Sequence, residues 1–377
     1  MQLVGRIERV PGRAPAVARI TTDPELPIPL RGDELLLLRD DRAYASEGFE
    51  AVLRVGDGLR AGEIAIPISL QYLQDGDIVR LNLEGGEIRV LYRRASNHNV
   101  LFFTERCNSR CLMCSQPPRE IDDGYLIDEI LEAIPLMDPA TRELCITGGE
   151  PMLLGPRLLE VLRCVQRFLP ETSLHMLSNG RLFAYLANAQ AVASVGLEDF
   201  MVGIPLYADV ANRHDFVVQA KGAFDQTIRG LMNLARVGVR TEIRFVIHQQ
   251  TVGRMVETAR FIARNLPFVS QVAFMGLEMM GFTKGNLEAL WVDPHKYGET
   301  LAEAVEELSF AHIRTSIYNL PLCLVPERVW KQTRQSISDW KNIYLPVCEP
   351  CVRKDSCAGF FASAPLRYSA HLRPFTL

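Results

Sequence analysis

Six of the nine cysteines fall into two spaced sets, Cys107-x3-Cys111-x2-Cys114 and Cys348-x2-Cys351-x5-Cys357. Deprotonated thiols at such spacings are metal ligands, and in a reducing compartment that use outweighs disulfide formation. Three thiolates on one loop leave a tetrahedral structural zinc site one ligand short. A 4Fe-4S cubane takes four thiolates when saturated, so three leave one iron open to bind something else. The second set lies in a Pro/Gly-rich tail, where Cys323, upstream in Asn319-Leu320-Pro321-Leu322-Cys323, brings the number of thiolates to four. Four suit either a saturated 4Fe-4S cluster or tetrahedral zinc.

Two further motifs lie between the cysteine sets. Gly148-Gly149-Glu150-Pro151 offers a backbone without Cβ atoms that a ligand can approach, beside a carboxylate able to accept a charge-assisted hydrogen bond from an ammonium. Ser178-Asn179-Gly180 offers a hydroxyl, an amide and a flexible turn, suited to ribose or carboxylate contacts. Cys145 and Cys164 sit inside apolar patterns and read as core thiols. His175, His214, His248, Tyr207 and Asp209 fall near strand ends, but each reads more simply as a structural or solvated group, whereas Arg244 on the fifth barrel strand reads equally as a bidentate partner for a ligand carboxylate or as a salt-bridged arginine.

The elements that must position these groups fall into three regions. Residues 1–95 carry short β segments, Glu34 to Leu38, Ala51 to Val55, Ile64 to Ser69, Asp77 to Leu83 and Glu87 to Tyr92. They are separated by turns such as Gly56-Asp57-Gly58, and the last two read as a hairpin around Glu84-Gly85-Gly86. This is a small β domain, a docking module for a substrate leader or partner. Residues 96–290 alternate apolar β runs with helical periodicity six times, at a spacing of about 34 residues, which predicts an α/β fold: a partial (β/α)6 barrel with its reactive edge at the strands' C-terminal ends. Residues 291–377 read as a helix, His295 to Leu308, followed by a small irregular cysteine-rich domain that needs a metal.

With 41 Lys and Arg against 45 Asp and Glu the net charge is −4, which argues against a nonspecific nucleic-acid coat. The 48% apolar and 23% charged composition is that of a globular protein. No apolar run is long enough to span a bilayer, and the N-terminal residues carry no charged segment followed by an apolar one, so a cytoplasmic protein is expected.

The combination CxxxCxxC after the first strand, GGEP after the second and SNG after the third resembles the radical S-adenosylmethionine (SAM) superfamily, over residues 97 to about 280. The resemblance implies that Cys107, Cys111 and Cys114 ligate a 4Fe-4S cluster whose open iron chelates the amino and carboxylate groups of SAM. It places Gly148, Gly149, Glu150 and Pro151 at the SAM amino end and Ser178 and Asn179 on the ribose side. Reductive cleavage would then give methionine and a 5′-deoxyadenosyl radical. The residue before the third cysteine is usually aromatic in the family and is Met113 here; a thioether can fill the same packing role. The tail resembles the SPASM/twitch extension of radical SAM peptide maturases, which implies an auxiliary 4Fe-4S cluster on Cys323, Cys348, Cys351 and Cys357.

The run Leu101-Phe102-Phe103-Thr104-Glu105-Arg106-Cys107 through Pro118 is similar to the maturases of His-Xaa-Ser systems, HxsC type, as is Ser336-Ile337-Ser338-Asp339-Trp340-Lys341-Asn342 followed by Tyr344-Leu345-Pro346. This implies a ribosomally made precursor peptide with His-Xaa-Ser repeats as substrate, a partner radical SAM maturase and a reductant protein, with no nucleic acid and no membrane. The implied reaction is oxidative, with an intramolecular crosslink as its first form. The alternatives are a radical SAM enzyme acting on another macromolecule, sulfatase or nucleic acid, and a zinc-dependent interaction module.

Overall fold

The computed structural model describes residues 3–41, 43–56, 59–336 and 343–376. Asp57 and Gly58 of the expected turn, and Ile337 to Asn342 of the tail motif, lie outside the described residues.

The N-terminal strands are β1 (Val4–Arg6), β2 (Ala16–Thr21), β3 (Glu34–Leu38), β4 (Ala51–Val55), β5 (Glu63–Ile66), β6 (Ile78–Asn82) and β7 (Glu87–Tyr92), forming one sheet in the order β1-β7-β6-β2-β3-β4-β5. The β6/β7 hairpin pairs antiparallel as its turn residues predict, while β2 through β5 run parallel. The patterning had missed β1 and β2: β1 has three residues, and β2 opens on small or half-buried positions that give no clean alternation.

The second sheet begins at β8 (Asn99–Phe102) and continues through β9 (Glu143–Thr147), β10 (Ser173–Leu177), β11 (Phe200–Pro205), β12 (Arg240–Ile247) and β13 (Gln271–Gly276), the six expected strands. It carries two more, β14 (Arg314–Tyr318) and β15 (Thr333–Arg334), and all eight run parallel in chain order from β8 to β15. The expected partial (β/α)6 barrel is present over residues 96–290, and the sheet extends past it. A seventh helix–strand unit lies past residue 290, because α9 (Pro294–Phe310), capped by the Asp293 carboxylate on the His295 N–H, buries Leu301, Val305 and Leu308 against the sheet before β14 pairs with β13. Among the described residues the sheet stays open between β8 and β15, a half-barrel.

Helices cover its outer face: α1 (Tyr125–Ala133), α2 (Pro156–Phe168), α3 (Leu186–Ala193), α4 (Ala211–Val218), α5 (Ala223–Arg236) and α6 (Met255–Asn265), with the short α7 (Phe282–Gly285) and α8 (Leu287–Leu290) at the mouth. Leu158, Val161, Leu162 and Val165 of α2 and Leu231 and Leu234 of α5 are buried, as their spacing predicts. Strand residues alternate between this outer core, as Leu144, Ile146, Leu174 and Met176 do, and the concave face, where Cys145 and His175 lie.

The two sheets share a core. Ile78 and Tyr92 pack with the barrel's apolar residues, the Tyr92 hydroxyl bonds Thr141 Oγ1 at 2.8 Å, and Arg80 and Arg89 both pair with Glu129 of α1. Removing one member of a mostly buried charge cluster strands the others. Glu129→Ala is expected to cost about 3 kcal/mol, read as a lower midpoint in denaturant unfolding.

Candidate active site at the C-terminal edge of the half-barrel

The loop after β8 is built from its first turn outward. Asp123, fully buried, accepts from Thr104 Oγ1 at 2.7 Å and the Glu105 N–H at 2.6 Å, and pairs with Arg106 at 3.2 Å. This carboxylate fixes where the cysteine loop leaves the sheet. Sequence reasoning missed it, because Asp122-Asp123-Gly124 reads as an ordinary turn before α1.

The backbone of the cysteine loop is then held on two sides. Arg110 and Leu112 donate their N–H groups to the Val218 and Val217 carbonyls at the end of α4. From the other side the Phe282 N–H donates to the Cys114 carbonyl, Thr283 Oγ1 to Met113 and Asn286 Nδ2 to Leu112. Thr283 and Asn286 were also missed, since only tertiary structure brings α7 and α8 there. Met113 is buried with Tyr207, Val217 and Leu290, so the thioether fills an apolar packing position.

Cys107, Cys111 and Cys114 converge. Burial pushes the Cys107 thiol up to about 11 and Cys111 to about 12, and Cys114 also rises; charge on the neighbouring thiols opposes ionisation of Cys107 and Cys111 further. Thiols so placed ionise only when a cation compensates the charge, which is what a metal centre supplies. The donor set thus fits an iron-sulfur cluster. Among the described residues no group of three or more Cys, His, Asp and Glu side chains is arranged to grip a single metal ion.

The Gly148-Gly149-Glu150-Pro151 segment lies against this loop. Gly148 has φ +145°, and a Cβ there would stand 2.5 Å from the Thr104 carbonyl oxygen; one on Gly149 would stand 2.0 Å from that of Arg106. The glycines therefore serve a close approach of the chain to itself: the Gly149 N–H donates to Thr104 at 2.6 Å and the Glu150 N–H to Arg106 at 2.8 Å. Glu150 is wholly buried. Its Oε1 accepts from the Met152 N–H at 3.0 Å and Ser178 Oγ at 2.8 Å, and Oε2 accepts from the Asn179 N–H at 2.7 Å. Burial raises its carboxyl above the usual range, against those three hydrogen bonds. Ser178 is thus taken up by Glu150 and by the Gly180 N–H. Asn179 turns the other way, its Nδ2 2.5 Å from Asn108 Oδ1 and 3.9 Å from Cys107 Sγ, so of the two it is the one beside the cysteines. Arg181 ties the turn to the loop through Asn108 O and Ser109 Oγ.

A carboxamide at position 150 offers one acceptor oxygen to three donors and turns its own donor toward one of them. Glu150→Gln is expected to cost about 2 kcal/mol of stability, measured by denaturant unfolding, and to lower iron retention with it.

The remaining candidates separate by environment. Arg244 is held by Glu242 at 2.7 Å and reaches Met275 Sδ at 3.2 Å, with His175 Nε2 3.7 Å from the same carboxylate, so this is a buried network on the concave face. His214 and His248 are buried, their imidazoles pushed down to about 4 and about 3 by desolvation. Asp209 pairs with Arg254.

In the tail, Cys323, Cys348, Cys351 and Cys357 all line one cavity, with Tyr344 and Arg373 among its other walls. Cys357 Sγ accepts from the Leu322 and Gly359 N–H groups, both at 3.4 Å. Trp330 packs edge-on against Phe375 at 5.3 Å, and Ile343 and Phe360 exchange backbone hydrogen bonds as an antiparallel bridge.

Residues 101–262 match the family model of the radical SAM superfamily. Those residues carry the cysteine loop, the glycine motif and the Ser178-Asn179 turn, so the central domain is similar to that of radical SAM enzymes. Similarity to this family points to a 4Fe-4S cluster and SAM. A probable GTP 3′,8-cyclase of Methanocella arvoryzae is 28% identical over 199 residues, 51% of this chain and 59% of that protein. The Fe-coproporphyrin III synthase of Methanosarcina barkeri is 27% identical over 160 residues, 40% of this chain and 36% of that one. The chain thus spans about half the length of the curated relatives it matches. Among solved structures, Streptococcus suis SuiB bound to SAM aligns with a TM-score of 0.48 at 14% identity, covering 67% of this chain and 56% of that one. Among the described residues no helix is long and apolar enough to cross a membrane.

Proposed function

We propose that the chain is a radical SAM maturase that oxidises a ribosomally made peptide carrying His-Xaa-Ser repeats, working beside a partner radical SAM maturase. The observation that carries the reading is the gathering of all seven ligand candidates at two places: Cys107, Cys111 and Cys114 on one clamped loop, and Cys323, Cys348, Cys351 and Cys357 around one cavity. Three thiols leave a cluster iron open for SAM; four saturate a second centre. Loaded in this way, the first centre supplies one-electron cleavage of SAM to methionine and a 5′-deoxyadenosyl radical.

The chain's own residues then have distinct roles. Glu150 and Ser178 fix the turn that carries Asn179 toward Cys107, and Gly148 and Gly149 let that strand end close on the cysteine loop. Pro151 opens the turn that follows. Among the described residues the sheet does not close between β8 and β15, and an opening on that side would suit a polypeptide substrate. The similarity of residues 101–118 and 344–346 to the His-Xaa-Ser maturases supports that peptide class.

The test is anaerobic reconstitution, iron and zinc analysis, and incubation with a His-Xaa-Ser precursor, SAM and a reductant. About eight irons per chain, falling to about four in a Cys348→Ala/Cys351→Ala variant, is the expected count, with a peptide mass loss of about two hydrogens. Iron-free protein with zinc in both sites would instead make this an interaction module. A second reading follows from the names of the relatives: GTP consumed in place of peptide would assign a nucleotide cyclase.

A further inference from the structure

Residues 361–376 run as one strap that touches the supports of both thiol sets. At its start Ser363 Oγ accepts from the Met279 N–H at 3.3 Å, and Arg367 lies over the Trp291 ring at 4.4 Å while its Nη1 donates to Glu288 Oε1 at 2.8 Å. Met279 and Trp291 bracket α7 and α8, whose Phe282, Thr283 and Asn286 hold the backbone of Cys114, Met113 and Leu112. At the strap's end Leu372, Arg373 and Phe375 form part of the wall of the four-thiol cavity, and the Phe375 carbonyl accepts from the Val352 N–H, next to Cys351, at 2.9 Å. Little else orders the strap. Of its residues only Ala364, Ser369 and Leu372 are buried, its regular structure is one 3-10 turn, Ala364–Leu366, and midway His371 stacks on His295 of α9 at 3.8 Å. A segment with so few buried contacts takes its order from whatever holds its ends. The helices it rests on have four residues each, too few to stand alone in water. From beneath, Leu290 packs with Met113, and the Ala289 and Leu290 carbonyls accept from Gln250 and Gln249; from above, the strap is their support.

We propose that the strap couples the two thiol sets: metal held by Cys323, Cys348, Cys351 and Cys357 tightens the iron centre on Cys107, Cys111 and Cys114, with Arg367 as the positioning residue that carries the effect to the cysteine loop. This rests on the two-centre reading above, whether the tail metal is iron or zinc. Ligation of the four thiols fixes one end of the strap, as metal binding does for any weakly packed segment. The fixed strap holds Arg367 against Trp291 and Glu288, and α7 and α8 then hold the cysteine loop. Because the coupling is one of binding free energies, it runs both ways, and a loaded first centre retains the tail metal longer by the same factor.

The test uses the full-length, reconstituted protein and reads the rate at which an iron chelator strips the first centre, followed by the paramagnetic resonance signal that responds to added SAM. Cys348→Ala/Cys351→Ala is expected to raise that rate about fivefold. Arg367→Ala, with its tail metal intact by elemental analysis, should raise it by a similar factor. The combined variant should be no faster than either alone, since both changes cut the same link. Arg367→Lys keeps the charge on Glu288 without the planar stack on Trp291 and should fall between. Amide hydrogen exchange over residues 282–290 should quicken in both the thiol and the Arg367→Ala variants, a readout independent of activity. Effects that multiply to about twenty-five-fold in the combined variant, or a stripping rate and exchange indifferent to Arg367→Ala, overturn the coupling while leaving both centres in place. Wild-type protein with no tail metal overturns the two-centre reading, and the coupling with it.

Discussion

Replacing Cys111 with alanine should lower 5′-deoxyadenosine formation at least about a hundredfold and remove about four irons per chain. A cluster with one iron open already has the fewest protein ligands that can hold it, so losing one of three leaves no spare. Cys111 is the deepest of the three thiols, and its two sequence neighbours are pinned, Arg110 and Leu112 donating their N–H groups to α4. No other described cysteine is placed to take over. Cys145 lies on the concave face of β9 and Cys164 on α2 against the apolar core. Cys164→Ala is therefore the control: it removes a thiol outside both ligand sets and should keep its iron and its SAM cleavage. Measuring iron by colorimetry and 5′-deoxyadenosine by chromatography on both variants separates ligand loss from a general packing defect. Equal behaviour of the two would remove the cysteine loop from the catalytic reading.

The parts legible in the sequence were those whose signal is local. Apolar runs at regular spacing gave the strands β8 to β13 and the buried faces of α2 and α5, because a parallel sheet covered by helices imposes two clear periods on the chain. Cysteine spacing gave both thiol sets, including Cys323, which the fold brings to the tail cavity from well upstream. What stayed hidden depends on contacts between distant segments. Asp123 orders the start of the cysteine loop, and Thr283 and Asn286 clamp its far side, yet nothing near any of them in sequence distinguishes them from turn residues. The same holds for the glycine motif. Its composition suggested a bare backbone awaiting a ligand, whereas the space a Cβ would take is filled by the chain's own carbonyls. Glu150, read as a group open to an ammonium, has three internal donors and anchors the neighbouring turn.

That packing makes Gly149→Ala the most demanding single-methyl change at the site. The added Cβ would lie 2.0 Å from the Arg106 carbonyl oxygen, 2.6 Å from its carbon and 3.2 Å from Cys107 Cβ. Nothing here is the far end of a flexible side chain, so backbone must move. The movable piece is the Arg106–Cys107 peptide, which also accepts the Glu150 N–H, while the Gly149 N–H donates to Thr104. Pushing the strands apart weakens both bonds, each contributing about 1 kcal/mol, and adds overpacking strain of about 1–3 kcal/mol. A destabilisation of about 3 kcal/mol is the expected result. Because Cys107 moves with the displaced peptide, iron should be lost in proportion, and 5′-deoxyadenosine formation should fall further than stability alone explains. Arg106 sits on a loop whose far end is tied to α4 and to α7, so the displacement cannot be relieved by sliding the loop outward. A Gly149→Ala protein with full iron, an unchanged unfolding midpoint and normal SAM cleavage would show that the loop and the glycine segment are not in the contact described, and that Cys107 is positioned by something else.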